Sequence, residues 1–176
     1  MKTFEQKAQG LAASSASITQ QLQQASGCHV DVDVICQGWR RPRHGEALLL
    51  RRYGLDGAAK AWVREVLLKT GDQYRVLARL LVPAADLPHV PWLQTLGAKP
   101  LGALVFAKGQ PAPQRYCITP KYRRFSVLGG QFTPSVLQRA QRVGFQHSEL
   151  YWSRHSVLVV PSEPPARFFI TECFLY

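Results

Sequence analysis

Residues 61–68, AWVREVLL, decide how this chain is read. Their apolar, partly β-branched character is that of a buried strand, yet Arg64 and Glu65 stand in its middle. Side chains alternate faces along a strand, so Arg64 shares its face with Trp62, Val66 and Leu68. A guanidinium stays charged, and burying it among such neighbours is costly unless something anionic meets it. The rest of the chain has to supply that anion or make room for one.

Working outward, Thr70-Gly71-Asp72 predicts a hairpin turn, and Arg75 to Val82 predicts the partner strand. That strand also holds an arginine, Arg79, inside an apolar run, and Pro83 stops the pairing. Upstream, Val30 to Val34 alternates as a half-exposed strand with Asp31 and Asp33 on its solvated side. Gln37 to Gly45, with Trp39, Arg40, Arg41, Arg43 and His44 around Pro42, reads as a loop, and Ala47 to Tyr53 as a short strand. Downstream, Leu150 to Val160 is strand-like, and Arg167 to Tyr176, RFFITECFLY, is an aromatic-rich strand. Its Glu172 shares a face with Phe168, Ile170 and Phe174, the mirror image of Arg64.

Helical signals lie at the start and middle. Phe4 to Ala25 predicts helix in two pieces, the second starting near Ile18 from the capping-box pattern of Ser17 and Gln20 and ending at Gly27. From Leu87 to Ala107, a short amphipathic turn around Trp92, Leu93 and Leu96 breaks at Gly97, and Pro100-Leu101-Gly102 opens a second short helix reaching Phe106. Helix starts expose amide N–H groups, so the backbone at Ile18 and at Leu101 can receive an anion or serve as ordinary helix starts packed on the sheet. Residues 108–148 form the least regular stretch. It holds Tyr116 to Ile118 as a short strand, a basic cluster at Lys121, Arg123 and Arg124, a Gly129-Gly130 turn and a helix from Pro134 to Val143. No acidic residue occurs within it.

Successive strands joined by turns, with short helices, point to an α+β fold on an antiparallel sheet, one domain spanning residues 1–176. The net charge of +11 speaks to partners and suits nucleic acid, an anionic membrane surface or a small polyanion without choosing among them. Cys28, Cys36, Cys117 and Cys173 form no metal-ligand spacing and read as reduced thiols. The N-terminus lacks a signal-peptide apolar stretch, and no apolar run nears the ~20 residues that span a bilayer, so a soluble cytoplasmic protein with no transmembrane segment is expected. Neither G-x-S-x-G, H-E-x-x-H, a phosphate-binding glycine loop nor a Cys/His cluster occurs. What remains is a pocket for an anion with neither cofactor nor metal. Arg64 and Glu172 then admit two readings: a buried ion pair with each other, or separate contacts to parts of one ligand.

The ordered set of motifs resembles the chorismate pyruvate-lyase family, which makes 4-hydroxybenzoate for ubiquinone synthesis. The resemblance is carried by S-I-T at Ser17 to Thr19, W-V-R-E-V at Trp62 to Val66 and A-R-x-x-V-P at Ala78 to Pro83. It continues with L-G-x-x-P-L-G at Leu96 to Gly102, W-x-R-x-S at Trp152 to Ser156 and I-T-E-x-F-L at Ile170 to Leu175. It implies a small antiparallel sheet enclosing a buried site under helical flaps. Arg64 and the Leu101 amide would hold a ring carboxylate, the backbone near Ile18 would line the site, and Glu172 would meet the ring hydroxyl. Arg79 would contact the enolpyruvyl carboxylate. The implied reaction turns chorismate into 4-hydroxybenzoate and pyruvate without a cofactor, in a monomer with no nucleic-acid partner. Three features depart from the family pattern: Ala78 in place of glycine, Ile18 in place of Met or Leu, and a longer basic segment at 108–148. The other reading of the same fold is a non-catalytic effector-binding domain, as found in bacterial transcription regulators.

Overall fold

The computed structural model describes residues 4–124, 130–146 and 149–175. Gly129 of the expected Gly129-Gly130 turn lies outside the described residues. Two helices open the chain, α1 (Phe4–Ala13) and α2 (Ile18–Ser26). As the pattern predicts, Ser17 caps α2, its Oγ accepting from the Gln20 N–H, and Gly27 ends it at φ 67°. Strand β1 (Val30–Arg40) follows, then α3 (His44–Arg52), β2 (Ala61–Thr70) and β3 (Gln73–Pro83). Two short 3₁₀ turns, Leu87–His89 and Pro91–Thr95, lead into α4 (Leu101–Val105). The chain closes with β4 (Gln114–Arg124), α5 (Pro134–Arg142), β5 (Leu150–Val160) and β6 (Ala166–Phe174).

Two local expectations are corrected. The loop expected at Gln37 to Gly45 is the second half of β1, which pairs with β2 as far as Arg40 opposite Ala61. The strand expected at Ala47 to Tyr53 is α3. Its run of three leucines has no periodicity to separate strand from helix, and the deciding signal lies just before it. Glu46 in the first turn accepts from the Arg43 N–H at 2.8 Å, closing the helix start, while Leu50 turns inward. Within 108–148 the helix expected from Pro134 to Val143 is α5, and the short strand expected at Tyr116 to Ile118 is the longer edge strand β4.

Among the described residues the strands form one antiparallel sheet in the order β1-β2-β3-β6-β5-β4. Helices cover both of its faces. On the front, α1 and α2 bury Ala8, Ala12, Ile18 and Leu22 against Val32, Val66, Leu68 and Phe174. The 3₁₀ turns and α4 bury Leu87, Leu93, Leu96 and Val105 against Leu80, Leu158, Phe168 and Ile170 on the same face. On the back, α5 packs Val136 and Ala140 with Phe132 and Phe145 onto Leu67, Leu77 and Cys173, and Leu50 of α3 meets Ala61, Val63 and Leu81. No helix among the described residues is long and apolar enough to cross a membrane.

Two one-residue irregularities set which side chains face which way. In β1 the register slips between Val34, opposite Val66, and Cys36, opposite Glu65, so Ile35 is an extra residue and Gln37 lands opposite Arg64 on the front. In β3 the register slips after Lys69, which pairs with Tyr74, so that Leu68 pairs with Val76 and Arg75 is extra. Each slip moves every later side chain to the other face.

Candidate active site

A cavity of about 70 Å³, the room open to the centre of a water molecule, lies between the front face and the two helix starts. Val32, Val66, Leu68, Leu80, Leu158 and Ile170 form an apolar floor, and Ile18, Leu101, Gly102 and Phe106 form the roof. Arg64 and Glu172 both line it, as expected. Arg64 sits level with Leu80 and Ile170, and Glu172 level with Ala78 and Val66. The two positions are therefore two strands apart and two residues offset, about 10 Å across and about 7 Å along the sheet. Both side chains line the cavity between those positions.

Arg64 is buried, and its Nη1 donates to Gln37 Oε1 at 2.9 Å and its Nη2 to the Lys99 carbonyl at 3.3 Å. Both acceptors are neutral. Burial alone pulls the guanidinium pKa down to about 10, with no carboxylate among the described residues to offset it. The ion pair between Arg64 and Glu172 is not formed. Glu172 is paired instead with Arg154 of the neighbouring strand, whose Nε and Nη2 both donate to its carboxylate. Arg115 of β4 adds a contact of 3.6 Å. Burial pushes the Glu172 carboxyl up, but Arg154, and after it Arg115, outweigh that, and the carboxyl lies below its usual range.

Arg154 and Arg115 were not singled out from sequence. Arg154 is fully buried, and its Nη1 also donates to the Leu11 and Ser14 carbonyls at the end of α1, so one guanidinium ties the N-terminal helix to Glu172. The signal was present in the alternation of Trp152, Arg154 and Ser156, which puts an arginine on an inward face. Arg115 was hidden by Pro111 and Pro113, which make the start of β4 look like a connection.

Arg79 borders the cavity, but its guanidinium does not point into it. The extra residue Arg75 places Arg79 opposite Glu65 and not opposite Arg64, hence on the back face. There its Nε and Nη2 donate to Glu46 at 2.7 and 2.9 Å, and its Nη1 donates to Glu65 at 2.9 Å. Burial lowers its pKa, and the two carboxylates more than restore it, leaving it raised. The guanidinium expected to meet a substrate carboxylate is here held by Glu46 and Glu65.

The roof is fitted tightly. Pro100 precedes α4 with extended φ and ψ of −62° and 130°, and a Cβ on Gly102 would stand 2.3 Å from Ser17 Oγ. Glycine is what lets the starts of α2 and α4 meet above the cavity. The first amides of any helix have no intrahelical acceptor, and Ile18 and Leu101 both border the cavity.

Residues 1–175 match the sequence model of the chorismate lyase family. The chain belongs to the chorismate lyase family. A probable chorismate pyruvate-lyase of Methylococcus capsulatus is 32% identical over 160 residues, 90% of this chain and 88% of that protein. A probable chorismate pyruvate-lyase of Pasteurella multocida is 34% identical over 105 residues, covering 60% of this chain and 59% of that protein. Among solved structures, the effector domain of PhnF from Mycobacterium smegmatis superposes with a TM-score of 0.62 at 15% identity, covering 90% of this chain and 88% of that one. The ligand-binding domain of a putative GntR-family transcriptional regulator from Bordetella bronchiseptica gives a TM-score of 0.55 at 11% identity, covering 83% of this chain and 85% of that chain. At such identities the likeness is one of fold. The antiparallel sheet with short helices is thus a chorismate lyase-like fold that regulators share.

Proposed function

We propose that this chain is a chorismate pyruvate-lyase that converts chorismate to 4-hydroxybenzoate and pyruvate, feeding ubiquinone synthesis in the cytoplasm, with neither metal nor organic cofactor. The observation that carries the reading is Arg64: a buried cation held by neutral oxygens only, facing a cavity whose far side presents an ionised carboxylate. A ring carboxylate accepts from Arg64 and from the amides at Leu101 and Ile18. Glu172 accepts from the ring hydroxyl at the opposite end.

The chemistry needs one C–O bond to break. The electron pair leaves with the enolpyruvate as its enolate, the ring carbon bearing the hydroxyl loses its proton, and the enolate takes up one proton at its methylene carbon to become pyruvate. Aromatisation supplies the driving force, so catalysis rests on holding the ring and stabilising charge on the departing group. The apolar floor keeps water from screening those charges. The lowered pKa of Glu172 makes it a weak base and a good fixed acceptor, which favours a positioning role.

Incubation of the purified, metal-free protein with chorismate, following 4-hydroxybenzoate and pyruvate together, tests the reading. Equimolar appearance of both supports it. Tight binding of 4-hydroxybenzoate with no turnover would instead favour an effector-binding module, the role suggested by the likeness to the PhnF effector domain.

A further inference from the structure

Chorismate carries two carboxylates, one on the ring and one on the enolpyruvyl group, whereas 4-hydroxybenzoate keeps only the first. Arg64 serves one. The residue expected from sequence to serve the other, Arg79, is locked on the back of the sheet. Arg154 is fully buried and is engaged by both oxygens of Glu172 and by two carbonyls of the N-terminal segment. Arg115 remains. It lines the cavity with a side chain only 5% exposed, its Nη1 3.6 Å from Glu172 Oε2 and donating to Ser156 Oγ at 2.8 Å. Its guanidinium carbon lies 6.0 Å from the centre of the Phe106 ring, so it bridges floor and roof.

Position and charge both favour it. The enolpyruvyl ether is on the ring carbon next to the one bearing the hydroxyl, so a ligand whose hydroxyl meets Glu172 brings its second carboxylate into the neighbourhood of Glu172, where Arg115 lines the cavity. With Arg79 neutralised on the back by Glu46 and Glu65, the guanidinium groups left at the cavity or on Glu172 among the described residues are those of Arg64, Arg115 and Arg154, and they face one carboxylate. The excess of two positive charges matches a dianion and exceeds what the product carries. We propose that Arg115 binds the enolpyruvyl carboxylate and stabilises the enolpyruvate as it leaves, so that it distinguishes substrate from product. The proposal rests on the lyase reading given above.

The test compares wild type with Arg115→Gln and Arg115→Lys, measuring kcat and KM on chorismate and the Kd of both chorismate and 4-hydroxybenzoate by calorimetry. Removing one charge-assisted contact corresponds to about a 10- to 150-fold loss. That loss is expected in kcat/KM and in chorismate affinity for Arg115→Gln, with 4-hydroxybenzoate affinity changed by less than about threefold and partial recovery in Arg115→Lys. Equal losses on both ligands, with the activity profile displaced to higher pH, would mean that Arg115 acts only by keeping Glu172 ionised, and would overturn the proposal. Unchanged kinetics would overturn it as well. Should Arg115→Gln fail to fold, Arg115→Lys carries the same comparison, since it keeps the charge and loses the fork geometry. Absence of turnover by the wild type contradicts the lyase reading alone, because the two affinities still report on Arg115.

Discussion

Arg64 and Glu65 are neighbours in one strand and meet opposite fates, because the strand sends them to opposite faces of the sheet. On the back, Glu65 is fully buried and closed off: it accepts from Arg79, from the Thr133 N–H at 3.0 Å and from Thr133 Oγ1 at 2.8 Å. Glu46 completes the cluster and also caps α3, so two helices are fastened to the sheet by one arginine and two acids. On the front, Arg64 is just as buried but meets neutral oxygens. The back network pairs its charges with one another, and the front leaves one buried cation with no carboxylate among the described residues to meet it. Buried charge by itself therefore does not mark a site; a buried charge whose counter-ion is missing does.

The largest expected effect breaks the back face. Glu65→Ala leaves Arg79 with one carboxylate fewer and releases Thr133 at the start of α5, and should cost about 3–5 kcal/mol of unfolding free energy in denaturant titrations. An unfolding free energy within 1 kcal/mol of wild type (about the measurement's own scatter) would show the cluster to be ornamental. The front face should behave the other way. Arg64→Met removes an uncompensated buried charge, so the melting temperature holds or rises, while 4-hydroxybenzoate affinity falls about 10- to 150-fold. A large drop in melting temperature with unchanged affinity would erase the contrast between the faces.

Smaller effects sharpen it. Gly102→Ala drives a Cβ onto Ser17 Oγ, disturbing the cap of α2 at a cost of about 1 kcal/mol. Because the disturbance is in the roof, ligand affinity should fall while a back-face reporter such as Tyr151 fluorescence stays put. The faces should also differ in pH response. His155 lies on the back with Thr171, its Nδ1 3.0 Å from Thr171 Oγ1, and burial, then Arg123 and Lys121, lower its pKa from 6.5 to about 4. A folded state that resists a proton which the unfolded chain accepts loses stability as the pH falls from about 6.5 towards about 4. His155→Gln should flatten that part of a plot of melting temperature against pH. Glu172, whose pKa is lowered, should keep its full contribution on the front down to about 4.5 and begin to lose it only below that.

Much of this was legible in the sequence. The alternation around Arg64 and Glu172 marked both as inward charges, and the cap at Ser17 and the Pro100-Leu101-Gly102 start placed the roof. What the sequence concealed was parity. A plain two-residue hairpin at Gly71-Asp72 would set Arg79 opposite Arg64, and the extra residue Arg75 reverses that. The extra Ile35 likewise brings Gln37 to Arg64, though simple alternation from Val30 would have sent it to the back. Bulges have weak local signatures, because they are fixed by how two strands pack and not by one strand alone. The partners of Glu172 were concealed for a related reason: Arg154 and Arg115 come from other strands, and pattern reading identifies a buried charge without naming what neutralises it.

The most direct test of the account is a crystal structure of the chain with 4-hydroxybenzoate. The ligand carboxylate is expected on the Arg64 guanidinium, within hydrogen-bond reach of the Leu101 N–H, and its hydroxyl on Glu172, with Arg79 still bound to Glu46 and Glu65. A ligand seated elsewhere, or one with its hydroxyl at Arg64 and its carboxylate turned away, would contradict it.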